Sequence, residues 1–158
     1  MPLYESDPET VKSEIATFFE VFPNGTIWAN DNNGQGYDVV LLGQVEPTKI
    51  DVDALQARLD RADYATVRES LGVVGFKDGM SLLKTYMGRA SDLRPWLAGA
   101  QINRDISLRL QYLAGMGVNN FSAGEIASEI ARLRKFPPDM FTGSPEELAE
   151  LQSSLVRF

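Results

Sequence analysis

Val11, Ile15, Phe18, Phe19 and Phe22 recur at helical spacing, which predicts an amphipathic helix across SDPETVKSEIATFFEVFPNG. Ser6 or Asp7 stands where a cap belongs, Pro8 suits the first turn, Glu9 favours the positive end, and Pro23-Asn24-Gly25 stops the helix. The period then shortens. Ile27 and Trp28 sit in a short strand-like run, and Tyr37 to Leu42 form a second strand after a polar loop. Val39 to Leu42 is apolar at every position, which predicts a strand covered on both faces with a neighbour beyond its hairpin partner. A lone strand pair is marginal in water, so the pattern calls for more sheet.

The middle of the chain reads as short helices. Asp51 opens a segment in which Val52, Leu55 and Leu59 share a face, and Asp63 is placed to cap another carrying Tyr64, Val67 and Leu71. GMSLLKTYMG and SDLRPWLAG read as two more, each ending in glycine. In DISLRLQYLAG the period changes again. Ile106, Leu108, Leu110 and Tyr112 alternate with Ser107, Arg109, Gln111 and Leu113, which predicts a strand or an extended strap. Two helices follow, each with a capping-box signature, Ser122 with Glu125 and Ser144 with Glu147, striped by Ile126, Ile130 and Leu133 and by Leu148, Leu151 and Leu155. FPPDMFTG is the Pro/Gly connector between them.

Composition removes whole classes of chemistry. The chain has no histidine and no cysteine, so imidazole and thiolate nucleophiles, zinc thiolate sites and disulfides are excluded. Acidic residues outnumber basic ones, 22 to 15, for a net charge of −7, which argues against a nucleic-acid partner and is compatible with a cationic small molecule. No apolar run approaches the ~20 residues of a spanning helix.

Other candidate motifs have structural explanations. NGQGYD carries glycines but precedes a strand, so it cannot aim helix amides at an anion. Asp51, Asp53, Asp60 and Asp63 lack calcium-loop spacing and read as caps and a solvated face. Trp96, after Arg94-Pro95, reads as a core anchor.

About seven helices with two or three strands make a poor self-contained α/β domain, because parallel sheets arise from repeated strand-helix units. With PLYES running directly into a helix cap, the pattern predicts a segment of a longer chain. The order of elements resembles the C-terminal half of the spermidine synthase family, the polyamine aminopropyltransferases, and is most similar to the bacterial spermidine synthase-like proteins. In that family a strand ends in Q-W-x-P-L-Y, a helix closes on F-P, and a strand pair carries a substrate-covering loop. Pro2-Leu3-Tyr4, Phe22-Pro23 and Trp28 to Gly43 match these three features. GAQINRDISLRLQYLAG is similar to the bacterial A-P-L-N-T-D-D-R-P-x-L-E-Y segment through Ala100, Asn103, Asp105, Leu110 and Tyr112. Arg104, Ile106 and Leu108 replace that segment's threonine, second aspartate and proline, so its T-D-D character is lost. FPPDMFTGSPEELAEL resembles the family tail.

The resemblance implies an α/β fold class, α+β as an isolated piece: the C-terminal portion of a doubly wound S-adenosylmethionine-dependent transferase-like sheet with a mainly helical extension. It divides the chain into the last strands and helix of the transferase-like domain (1–48), a helical cap ending in an extended strap (49–121) and a two-helix extension (122–158). It implies that the loop between the strands lies over a polyamine, with Asp31, Asn32, Gln35 and Tyr37 as substrate-binding residues, holding an ammonium by charge and cation–π attraction. Asn, Asp and Gly also suit a turn, so a purely structural loop stays open. The resemblance places the nucleoside-binding glycine loop and the catalytic carboxylates in the missing N-terminal half. This chain alone is therefore expected to have no catalytic residue, no metal and no cofactor, while the parent uses decarboxylated S-adenosylmethionine as substrate. A cytoplasmic location is implied, with some relatives fused to membrane segments. The alternative is a non-enzymatic helical interaction or assembly module forming a homo-oligomer.

Overall fold

The computed structural model describes residues 1–4, 6–32, 35–114 and 122–156, with residues 31, 32, 35–37 and 114 described through their backbone alone. Asp7 caps α1 (Pro8–Val21), accepting from the Glu9 and Thr10 amides at 2.9 and 3.0 Å. The chain reverses at Gly25, where a Cβ would lie 2.6 Å from the Phe18 ring. It continues through β1 (Thr26–Asn32), β2 (Gln35–Leu42) and the two-residue β3 (Ile50–Asp51). Next come α2 (Val52–Leu59), a 3₁₀ turn at Ala62–Tyr64, α3 (Ala65–Val73), α4 (Gly79–Leu83), β4 (Tyr86–Arg89) and α5 (Ala90–Leu93). The remaining elements are α6 (Arg109–Ala114), α7 (Ala123–Leu133), β5 (Phe141–Thr142) and α8 (Pro145–Val156). The architecture is mixed helix and sheet. Among the described residues no helix is long and apolar enough to cross a membrane.

The main sheet is antiparallel, in the order β2-β1-β4, with Trp28 opposite Val40 and Ile27 opposite both Leu41 and Gly88. A second sheet pairs β3 with β5 in parallel. Alternate residues of a strand face opposite sides, and the core splits accordingly. Ile27, Val39 and Met87 join Val11, Ile15 and Phe19 of α1, Leu93 of α5, and Ile126 and Ile130 of α7. On the other face Tyr86, with Trp28 beside it, joins Val52, Met80, Leu83, Phe141, Leu151 and Leu155. Tyr86 meets Trp28 and Phe141 edge-on, at ring separations of 5.4 and 5.8 Å.

The second cluster stops short of β2. Val39 is 1% exposed, whereas Val40 and Leu42, which share Trp28's face, are 44% and 49% exposed. The continuously apolar run is thus covered on one face, not on both as its pattern predicts. On its outer side, among the described residues, β2 is paired with the chain's first residues. Pro2 bridges Asp38 in antiparallel sense, Val39 N–H donates to the Met1 carbonyl, and the Met1 amino group donates to the Val39 carbonyl, both at 2.9 Å.

Four local expectations are corrected. The alternating segment 106–112 is a turn followed by α6, because the Asn103 side chain accepts from the Leu110 amide at 2.9 Å and Leu113 is buried on a helix packed against α1. Asp63 lies inside the 3₁₀ turn and pairs with Arg61 instead of capping α3. Ser122 precedes α7 without a side-chain capping bond. Ser144 turns to α2, its amide and hydroxyl donating to the Asp53 carboxylate at 2.6 and 3.1 Å.

Candidate functional site

The resemblance points to the β1–β2 hairpin. Asn30 opposes Asp38 and Asn32 opposes Gln35, with a register shift between Asn30 and Asn32 that sets two residues of β2, Gly36 and Tyr37, against the single Asp31 of β1. Asp31 and Asn32 close β1, and Gln35 and Tyr37 open β2, so these four residues stand on the paired strand ends rather than in a long loop. Their backbones come together at the hairpin end; their side chains lie outside the described part of the structure. Asn33, between Asn32 and Gln35 in the sequence, lies outside the described residues. Asp38 adds a carboxylate at the base of the hairpin. Its Oδ1 is buried and makes no hydrogen bond.

A denser charge cluster lies at the junction of β4 and α5, and the linear sequence carried no sign of it. Arg89 Nη1 donates to Asp139 Oδ2 at 2.8 Å, and its Nε is buried without a hydrogen bond, 3.9 Å from Asp92 Oδ2. The fully buried Tyr86 hydroxyl lies 3.4 Å from the same Asp92 oxygen. Burial pushes the Tyr86 phenol far above its ordinary range, and the neighbouring Asp92 carboxylate adds to the shift. Burial also raises the Asp92 carboxyl, against the pull of Arg89. The hydrogen bond from Arg89 holds Asp139 low. Arg89 and Asp139 border a cleft of about 230 Å³ with Asn24, Thr26, Thr48 and Ser91. The guanidinium is already engaged by Asp139 and Asp92, and its Nε is sealed from solvent. The cluster ties β4 to the connector before β5.

An open groove of about 440 Å³ is lined by Asp53, Asp60, Asp78, Glu147 and Glu150 between α2, α4 and α8. Most of these carboxylates have partners: Asp53 holds Ser144, Asp60 accepts from Gln56, Asp78 caps α4, and Glu150 takes Lys84 Nζ at 2.7 Å. Among the described residues no group of three or more acidic, His or Cys side chains is disposed to hold a metal ion. Trp96 is an anchor between helices: its Nε1 donates to Glu129 Oε2 at 2.7 Å, and Lys12 lies over its ring. Compared with known proteins, the chain matches no family model, no curated protein and no solved structure.

Proposed function

We propose that this chain is the C-terminal segment of a spermidine synthase-like transferase, contributing the amine-side hairpin and a helical cap. One observation carries the reading. The Pro2 segment, α1 and the β1–β2 hairpin follow in the order the resemblance requires, and Pro2 lies antiparallel against β2. In the parent, a bound amine would attack the sulfonium-activated carbon of decarboxylated S-adenosylmethionine, forming a C–N bond as the C–S bond breaks and methylthioadenosine departs. A carboxylate base would take the amine proton. This chain's part is to hold the ammonium end near Asp31 and Tyr37 and to keep water out. It performs no chemistry alone.

The test is titration of the chain with decarboxylated S-adenosylmethionine and methylthioadenosine by calorimetry, and with spermidine by amide NMR. Neither nucleoside is expected to bind, and spermidine is expected to shift amides from Asn30 to Asp38 in a salt-sensitive manner. Tight nucleoside binding, or spermidine shifts confined to the acidic groove, would overturn the reading.

A second reading, the helical assembly module, draws on α3, which buries none of its residues and leaves Val67 and Val73 exposed. Light scattering separates the two: a discrete dimer lost on Val67→Lys supports assembly, and a monomer counts against it.

A further inference from the structure

We propose that the cleft between the start of β1, the end of β4 and the connectors before β3 and β5 binds a neutral, polyhydroxylated small molecule of monosaccharide size. Four stretches of chain build it, 23–26, 47–48, 89–91 and 139–140. They are fastened to one another. Thr26 pairs with Arg89 across the sheet, Arg89 holds Asp139 at 2.8 Å, and Asn24 Nδ2 donates to the Val45 carbonyl at 2.6 Å. The cleft is therefore a standing feature of the fold. It lies at the opposite end of β1 from the hairpin turn, roughly 20 Å away.

The lining has hydrogen-bonding capacity that the chain does not use. Thr26 is 3% exposed; its hydroxyl accepts from Trp28 Nε1 at 2.8 Å, and its own proton meets no acceptor among the described residues. The Thr48 and Ser91 hydroxyls make no hydrogen bond with any described residue. Each can donate one bond and accept others. Asp139 has given Oδ2 to Arg89 and, as a carboxylate, still has room to accept. A ligand entering here displaces water from these groups and must replace its hydrogen bonds.

Charge and size set the class. The charged residues of the lining are Arg89 and Asp139, and they are paired with each other, so the cleft offers no uncompensated charge. An anion would have to displace Asp139 and enter a protein of net charge −7, and a cation would have to displace Arg89. Neutral hydroxyls can donate to Asp139 without breaking the pair. The volume, about 230 Å³, falls below the ~300–1,000 Å³ of sites for drug-sized ligands and equals that of about eight waters at ~30 Å³ each. A pentose or hexose carries hydroxyls around its ring and an apolar C–H face to lay against Pro23 and Pro47, and so matches both volume and lining.

The test is a titration of the full chain with D-ribose, D-glucose and myo-inositol, followed by amide NMR, with inorganic phosphate as the charged control. At least one of the three polyols is expected to shift the Thr26, Thr48, Ser91 and Met140 amides saturably, with a Kd of about 1–10 mM. Ser91→Ala and Thr48→Ala remove hydroxyls that hold nothing else in the described chain, so each should keep the melting temperature and weaken that binding by roughly fivefold. Phosphate should leave the four amides in place. Silence from all three polyols at about 100 mM, roughly ten times the weakest expected Kd, would overturn the proposal. Saturable binding of phosphate at Arg89 in their stead would overturn it, and so would full affinity in both variants. The spermidine titration is read at other amides, from Asn30 to Asp38, so this proposal and the transferase reading fail separately.

Discussion

Val39 and Val40 are chemically identical neighbours on β2 with opposite surroundings, so truncating each in turn measures how far the core extends across the strand. Val39 is 1% exposed among Ile15, Phe19, Ile27 and Ile130 in the first cluster. Val39→Ala removes two methyl-sized groups at about 0.8 kcal/mol each, and the cavity left behind brings the loss to about 2–3 kcal/mol. Val40 already exposes 44% of its surface. Its truncation forfeits about half of the transfer contribution and closes no cavity, a loss under about 1 kcal/mol. With a urea dependence of about 2 kcal/mol per molar, the midpoints should fall by about 1 M for Val39→Ala and under about 0.5 M for Val40→Ala, at constant slope. Equal losses would mean that the face carrying Val40 is as well covered as the face carrying Val39, and the one-sided account of β2 would be wrong.

Leu108 adopts φ 44° and is largely exposed, so Leu108→Gly should raise the urea midpoint by an amount equivalent to about 0.5–1 kcal/mol; a lowered midpoint would show that the turn is not strained. Asp92, among Arg89, Tyr86 and Lys135, has a folded-state pKa raised above its ordinary 3.8, so its contribution to stability is present below that value and is lost as pH rises through the folded pKa. The stability of the wild type relative to Asp92→Asn should therefore decline with rising pH from about 3.8 upward in urea melts; a rising difference, the sign expected of Asp139, would contradict it. Ser13, fully buried, donates to the Gln101 carbonyl at 2.5 Å, and Ser13→Ala should cost about 1–2 kcal/mol by stranding that acceptor; no change would show that the segment before α6 holds to α1 by other contacts.

Elements with local start signals were legible in the sequence. Asp7 and Pro8 open α1, Asp51 caps α2 with its Ala54 bond, and Pro145 starts α8. β4 was not legible. Tyr86-Met87-Gly88-Arg89 is short, holds a glycine and follows directly on a helix, and it becomes a strand because β1 has a second edge to satisfy. The alternation at 106–112 misled for the opposite reason. Ile106 is 95% exposed, so the apolar residue that opened the pattern contributes nothing to a buried face. At the candidate site, the sequence located the hairpin but not its register shift, which depends on cross-strand pairing. The Arg89 cluster joins residues 86, 89, 92 and 139, a set that only the folded chain assembles.

The most direct measurement of the open edge is site-resolved amide exchange on the unmodified chain at dilute, monomeric concentration. The Leu41 amide should exchange at least roughly a hundredfold faster than those of Val40 and Leu42, whose N–H groups face β1. Equal protection of the three amides would contradict the account, because it would mean that β2 lies inside a sheet already complete.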